Sequence, residues 1–220
     1  MKSIRSVTID LDGTLLDTIP DLAAAANAML RELGKPEYPI ETVASFVGRG
    51  IPKLVERCLP EFSGDQLAHA QTLFKRHYAL ENGRRSRPYA GVQEGLTAFR
   101  AAGLPMAVIT NKATAFTEPL LVATELADWF EFAISGDTLS EKKPHPLPLL
   151  HACERLGTTP AENLHIGDSK HDAAAARAAG CPVFLVPYGY NEGEDVQGLD
   201  CDAIVASLAE AARRVASADY

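Results

Sequence analysis

IRSVTIDLDGT, Ile4 to Thr14, begins as an apolar, β-branched run and ends in two acids separated by a single leucine. The run through Ile9 has the composition of a buried strand. Side chains alternate faces along a strand, so Asp10 and Asp12 leave it pointing in a similar direction, and Gly13 lets the chain turn away sharply. Like charges this close repel, so the pair needs a cation or a shared proton nearby. The stretch therefore predicts a strand whose carboxyl end is a site.

Further short apolar runs recur at Pro105 to Thr110, Phe132 to Ser135, Asn163 to Ile166 and Val183 to Val186. Between them lie helical patterns: Val92 to Ala102, Ala113 to Leu126, Pro148 to Leu156 and Asp172 to Ala179, with Gly103, Gly157 and Gly180 in stop positions. Strands alternating with helices predict an α/β fold, a Rossmann-like parallel sheet with helices on both faces. From about Asp17 to Arg87 the rhythm breaks. No strand is legible there, whereas Leu22, Ala26, Met29, Leu30 and Leu33 form one helical stripe and Leu67, Ala70, Phe74, His77 and Tyr78 another. This predicts an all-helical insertion over residues 17–87, returning through Pro88 and Gly91 to a core made of residues 1–16 and 88–220. Ala203 to Val215 reads as a closing helix.

The composition limits what the chain can do. With 220 residues, 46% of them hydrophobic, it can bury a substantial core. Twenty-one Lys and Arg against 29 Asp and Glu give a net charge of −8, which argues against nucleic acid or an anionic membrane as partner. Any anionic ligand needs a local site. The four cysteines are scattered without a CxxC pair, as expected of small core residues in a reducing compartment. No segment approaches the roughly 20 apolar residues of a membrane span, and the N-terminal stretch lacks the form of a signal peptide, so a cytoplasmic location is expected.

Ligands of open parallel sheets bind outside the carboxyl ends of the strands. Four clusters fall there. Besides Asp10 and Asp12, the run VITNK ends in Thr110 and Asn111, which alone could equally open a turn. EKKPHP, Glu141 to Pro146, places Lys143 before a proline that stiffens the chain, although a solvated basic loop would read the same. His145, between prolines, fits packing or surface better than ligation. HIGDSKHD puts Asp168 directly after a strand, Ser169 in a capping position and Asp172 in the first turn of a helix, where an acid also suits the dipole.

Taken together, these residues supply carboxylates, a hydroxyl and a fixed ammonium: a hard-cation site beside an anion site. Mg²⁺ fits better than zinc, because oxygens dominate. A phosphorylated substrate bridges such a site, its oxygens taken by Thr110, Asn111, Lys143 and the backbone around Gly13 and Thr14. Asp10 is then the nucleophile and Asp12 the proton donor and acceptor. Asp10, Asp168 and the backbone carbonyl of Asp12 hold the metal, and Asp172 acts from behind Asp168.

DLDGT, Thr110, Lys143 with its prolines, and GDSKHD occur in the order of the four motifs of the haloacid dehalogenase superfamily, and the chain resembles its phosphatase branch. The resemblance implies an aspartyl-phosphate mechanism with Mg²⁺ and a helical cap at residues 17–87. Within that branch, DLDGTLLDT, KKPHP, AAARAAG and YGYN are most similar to the phosphoglycolate phosphatase subfamily, which implies a small phosphorylated metabolite as partner and a monomer or homodimer. In the cap, Arg49 lies between Gly48 and Gly50, ahead of Lys53. It is either a partner for the substrate's carboxylate or phosphate, or a surface residue of a turn. Rival readings are a phosphatase of a sugar phosphate or pyrophosphate, a phosphohexomutase and, from another class, a receiver domain that accepts phosphate without turnover. A dehalogenase needs no metal and fits GDSKHD less well.

Overall fold

In the computed structural model, which describes residues 3–217, β1 (Ser6–Ile9) is buried along its whole length and forms the middle of a parallel sheet. Residues 1–2 and 218–220, the ends of the expected core, lie outside the described residues. The chain continues through β2 (Leu16–Asp17) into four helices, α1 (Ile19–Glu32), α2 (Ile40–Phe46), α3 (Ile51–Cys58) and α4 (Gly64–Glu81). It returns through β3 (Arg87–Pro88) to α5 (Val92–Ala101), β4 (Met106–Ile109), α6 (Thr114–Ala123), β5 (Phe132–Ile134) and α7 (Leu147–Leu156). Then follow β6 (Asn163–Gly167), α8 (Lys170–Ala179), β7 (Val183–Leu185), β8 (Ala203–Ile204) and α9 (Leu208–Ser217). The sheet order is β5-β4-β1-β6-β7-β8, all parallel, with Val7 opposite Met106 on one side and Leu164 on the other.

Because neighbouring side chains point to opposite faces, the sheet feeds two cores. Val7, Ile9, Val108, Leu164 and Ile166 pack under Leu96 and Phe99 of α5 and Leu208 and Ala211 of α9. Ile109, Val183 and Leu185 pack on the other side against Leu149 and Ala152 of α7 and Ala175 and Ala176 of α8. Each fully buried aliphatic side chain contributes about 1.5–3 kcal/mol. Helices α7 and α8 stop at Gly157 and Gly180, both in the left-handed conformation that a glycine adopts without a Cβ clash.

The four inserted helices have a third core of their own. Ala26, Met29 and Leu30 of α1 meet Val43 of α2, Leu54 and Val55 of α3, and Phe74 and Tyr78 of α4, the stripes expected from the 3.6-residue spacing. His77 sits at its margin, paired with Glu32. The two connections to the sheet are held together by Asp21. Its fully buried carboxylate accepts from the amides of Gly83, Arg85 and Ser86 and from the Ser86 hydroxyl at 2.7–3.2 Å.

Two details differ from the sequence pattern. Leu16–Asp17 pairs antiparallel with Arg87–Pro88, so a two-residue ladder stands at the base of the helical segment. The closing segment is not one helix, since Ala203–Ile204 adds a strand beside β7 before α9 starts at Leu208. Two-residue strands carry no readable alternation. Their hydrogen bonds come from a distant partner. All four cysteines are free thiols, and no helix among the described residues is long and apolar enough to cross a membrane.

Candidate active site

The connection after β1 leads towards β4, and the one after β6 leads the other way to β7, so a crevice opens between the ends of β1 and β6. Asp10 follows β1 and Asp168 follows β6. One cavity, about 60 Å³, brings Asp10, Asp12, Thr110, Lys143 and Asp168 together beneath Leu54 and Tyr78 of the inserted helices. At roughly 10–15 Å³ per water position, a space of that size admits only a small ligand.

The two acids of the opening stretch do not share one countercharge; each has its own lysine. Lys143 Nζ lies 2.7 Å from Asp10 Oδ1, and Lys112 Nζ donates to Asp12 Oδ1 at 2.8 Å. Thr18, at the foot of α1, also donates to Asp12 Oδ1 at 2.7 Å. This separation explains how carboxylates two residues apart coexist in a buried setting. Lys143 is surrounded by oxygens: its ammonium also donates to the Ile109 carbonyl at 2.7 Å and Asp172 Oδ1 at 2.6 Å. The Asp10–Lys143 contact is an ion pair without hydrogen-bond geometry, which leaves Asp10 Oδ1 buried and unsatisfied in that sense.

Asp10, Asp168 and Asp172 each present an oxygen within 4.8 Å of the others. Burial pushes the Asp10 carboxyl well above the usual range, with Lys143 opposing and Asp172 and Asp168 adding to the rise. Burial, reinforced by Asp172, pushes Asp168 up to about 7. Asp172 goes the other way: burial opposes its charge, but Lys143 and His165 outweigh it and hold its carboxyl far below the usual range. Buried oxygens crowded together at such cost are suited to a hard divalent cation, and the unsatisfied Asp10 Oδ1 is one ready donor.

Asp168 is fixed by its surroundings. Thr14 Oγ1 donates to Oδ1 at 3.3 Å and the Tyr190 amide to Oδ2 at 2.7 Å. Gly13, at φ +89°, has its Cα so close that a Cβ there would collide with Asp168 Oδ2. Its amide is engaged by the Leu16 carbonyl. In this structure Gly13 and Thr14 shape the seat of Asp168 and do not line the cavity.

Asp172 is the centre of a chain of polar contacts running back along the sheet. Its Oδ2 accepts from the amide and hydroxyl of Ser169, at 3.1 and 2.5 Å, and closes a capping box at the start of α8. His165 Nε2 is 3.1 Å from Asp172 Oδ1, and His165 Nδ1 is 3.1 Å from Thr8 Oγ1. Thr8 accepts from Asn163, whose Oδ1 accepts from Ser6. Burial lowers the His165 pKa despite Asp172. The neutral tautomer that satisfies both contacts donates from Nε2 and accepts at Nδ1. Thr8, Asn163 and His165 lie inside strands, where their residue types read only as strand formers.

Asn111 lines the cavity, whereas Arg49 stands at its edge. The Asn111 amide donates to the carbonyls of Gly48 and Lys143, at 3.1 and 3.0 Å, and so ties the inserted segment to the Lys143 loop. Arg49 is half-exposed, outside the cavity lining. Its Nε lies 3.5 Å from both His171 Nε2 and Glu192 Oε1.

Glu192 was not legible in the sequence. It follows YGYN on the loop after β7 and gathers Arg57 of α3 at 2.8 Å and Lys170 of α8 at 3.0 Å. It thus ties the inserted helices to the sheet domain. Burial opposes its charge, but Lys170 and Arg57 prevail and bring the Glu192 carboxyl down to about 2. A depressed carboxyl stabilises the fold above its unfolded pKa, near 4.5, and that contribution is lost as pH falls towards 2. We expect Glu192→Gln to cost about 2 kcal/mol at pH 7. Urea midpoints of the two proteins should converge between pH 4.5 and 2.5, and a gap independent of pH would refute the ion-pair origin.

The fold and the site geometry define a haloacid dehalogenase-like hydrolase, and the chain belongs to that family: its sequence model matches residues 7–186. A phosphoglycolate phosphatase from Nitrosospira multiformis is 57% identical over 217 residues, spanning 96% of both chains. One from Thiobacillus denitrificans is 56% identical over 220 residues, spanning 98% of this chain and 97% of its own. Among solved structures, a "predicted phosphoglycolate phosphatase" from Haemophilus somnus superimposes with a TM-score of 0.92 at 32% identity, over 97% of this chain and 98% of its own. CbbY from Rhodobacter sphaeroides in complex with phosphate shares the fold, with a TM-score of 0.79 at 24% identity over 94% and 96% of the chains.

Proposed function

We propose that the protein is a Mg²⁺-dependent phosphomonoester hydrolase that converts 2-phosphoglycolate to glycolate and phosphate through an aspartyl-phosphate on Asp10. The observation that carries this is the placement of buried Asp10 in one cavity with Lys143, Asp168 and Asp12, the last held on a separate lysine. The relatives named phosphoglycolate phosphatase, matched end to end, support the substrate. Residues 17–87 act as the cap and residues 1–16 and 88–220 as the core.

In this reading an Asp10 carboxylate oxygen attacks phosphorus. The bond from phosphorus to the ester oxygen breaks, and Asp12 gives a proton to the departing oxygen. Water then attacks the aspartyl-phosphate and passes its proton to Asp12. The bond between phosphorus and the Asp10 oxygen breaks, and phosphate leaves. Asp10, Asp168 and the Asp12 carbonyl would hold Mg²⁺, with Asp172 behind them; bound there, the ion neutralises negative charge on the phosphoryl oxygens. Lys143, paired with both carboxylates, keeps Asp10 and Asp172 in place. Thr110 lines the cavity, its hydroxyl accepting from the Lys112 amide at 3.2 Å. It is available to donate to a phosphoryl oxygen.

The purified protein with Mg²⁺ should release many equivalents of phosphate per chain from 2-phosphoglycolate, and faster than from sugar phosphates or pyrophosphate. A single equivalent followed by arrest would favour a phospho-acceptor domain instead.

A further inference from the structure

The third residue of the TNK stretch, Lys112, has no part in phosphoryl transfer as derived above, yet it is among the most costly residues in the molecule to bury. Its side chain is 4% exposed, and it lies on the cavity wall beside the proton-donating acid. An ammonium has three donors. Lys143 has three protein oxygens within 2.7 Å, two of them hydrogen-bonded. Lys112 donates one well-formed hydrogen bond, to Asp12 Oδ1, and its other polar neighbour is the Tyr78 hydroxyl. Burying a cation with donors unused carries a penalty unless something else in the site takes them.

Tyr78 presents the same imbalance from the opposite wall. It comes from α4 of the inserted helices, is fully buried and lines the cavity, and its hydroxyl, which interacts with the Lys112 ammonium, has no acceptor for its own proton among the described residues. The Lys112 ammonium is its neighbour, 4.9 Å from the ring centroid. Burial pushes the phenol up to about 12, so it stays a donor. A cation and a hydroxyl, both short of acceptors, therefore face one space next to Asp12. Asp12 protonates the leaving oxygen, which makes this the leaving-group end of the cavity. Leu22, Leu54 and Val47 supply its apolar lining.

We propose that Lys112 and the Tyr78 hydroxyl form the subsite for the carboxylate of the substrate's leaving group. They would select small phosphorylated acids in which the carboxylate is one carbon away from the ester oxygen. This deepens the phosphatase reading and rests on it. It also assigns carboxylate recognition to the floor and roof of the cavity, not to Arg49 at its edge. One member comes from the sheet domain and the other from the helices, so the charged end of the substrate spans both parts.

The test compares kcat/KM for 2-phosphoglycolate and for 2-hydroxyethyl phosphate, which has the same length without the charge. The native protein with Mg²⁺ should favour the acid. Lys112→Met should lower kcat/KM about 100-fold on 2-phosphoglycolate, mostly through KM, and about tenfold or less on the neutral ester. Lys112→Arg should restore part of the preference, and Tyr78→Phe should reduce it several-fold. Retained turnover of the neutral ester shows in the same assay that each variant is folded. Equal losses on both substrates would overturn the proposal and leave Lys112 as a support for Asp12. Equal native rates on both would overturn it as well. If the native protein hydrolysed neither ester, the phosphatase reading itself would fail, and the subsite with it.

Discussion

Asp10→Asn should lower kcat on the order of 10⁴-fold or more and should leave the protein at least as stable as it is now. The amide has nearly the shape of the carboxylate but no nucleophilic oxygen, so phosphate release stops at its first step. The stability half of this expectation comes from the electrostatics. Asp10 is buried, its carboxyl is pushed upward by that burial, and Asp172 and Asp168 crowd it with like charge. A neutral side chain there relieves that repulsion. Lys143 loses one of three partners but keeps the Ile109 carbonyl and Asp172. Phosphate release and thermal unfolding of the two proteins check both halves. Residual turnover above about one part in a hundred would mean that water, not Asp10, attacks phosphorus.

Removing Asp172 should have the opposite pattern, with the fold suffering alongside the chemistry. Asp172→Ala leaves the Lys143 ammonium, the His165 ring and the Ser169 amide without their shared acceptor in a fully buried place. Breaking a buried pair costs about 3–5 kcal/mol because the surviving charge stays desolvated, which for a chain of this length amounts to a melting-point loss of about 10 °C. Gly167 makes relaxation harder, because its backbone packs directly against the Asp172 side chain, leaving no room for a Cβ. A loss under about 1 kcal/mol in urea titrations would show that the chain from Ser6 through His165 to Lys143 is not cooperative. The contrast between the variants is informative. In the proposed mechanism Asp10 is the reacting group, whereas Asp172 anchors Lys143, His165 and the start of α8.

The sheet strands were legible because they are long enough to show β-branched runs bounded by glycine and by polar strand ends. The clustered acids were legible for a related reason: Asp10 and Asp168 each follow an apolar strand where a parallel sheet keeps its ligands. Lys143 was legible through the prolines after it. In contrast, Lys112, Thr18, Tyr78 and Glu192 carry no local mark. A lysine after a strand, a threonine before a helix, a tyrosine in an apolar stripe and a glutamate in a loop are each ordinary in their own surroundings. Tyr78 belongs to the helix core that its spacing predicts, and that core position is also what puts its hydroxyl over the cavity. The two-residue strands β2 and β8 were missed because hydrogen bonding, not side-chain pattern, defines them.

By itself the amino-acid sequence determined the α/β class, the helical segment inserted after the first strand, and the set of acids and the lysine that end up around one crevice. These follow from periodicity and from the few residue types that can end a buried strand, which are local properties. The tertiary structure alone decided which cation answers which carboxylate: Lys143 for Asp10 and Asp172, Lys112 for Asp12, and Arg57 with Lys170 for Glu192. Coulomb attraction in a dry interior depends on separations of a few ångströms between residues as far apart as Asp12 and Lys112 in the chain. No local pattern encodes such a distance; it exists once the sheet and the helices above it have packed.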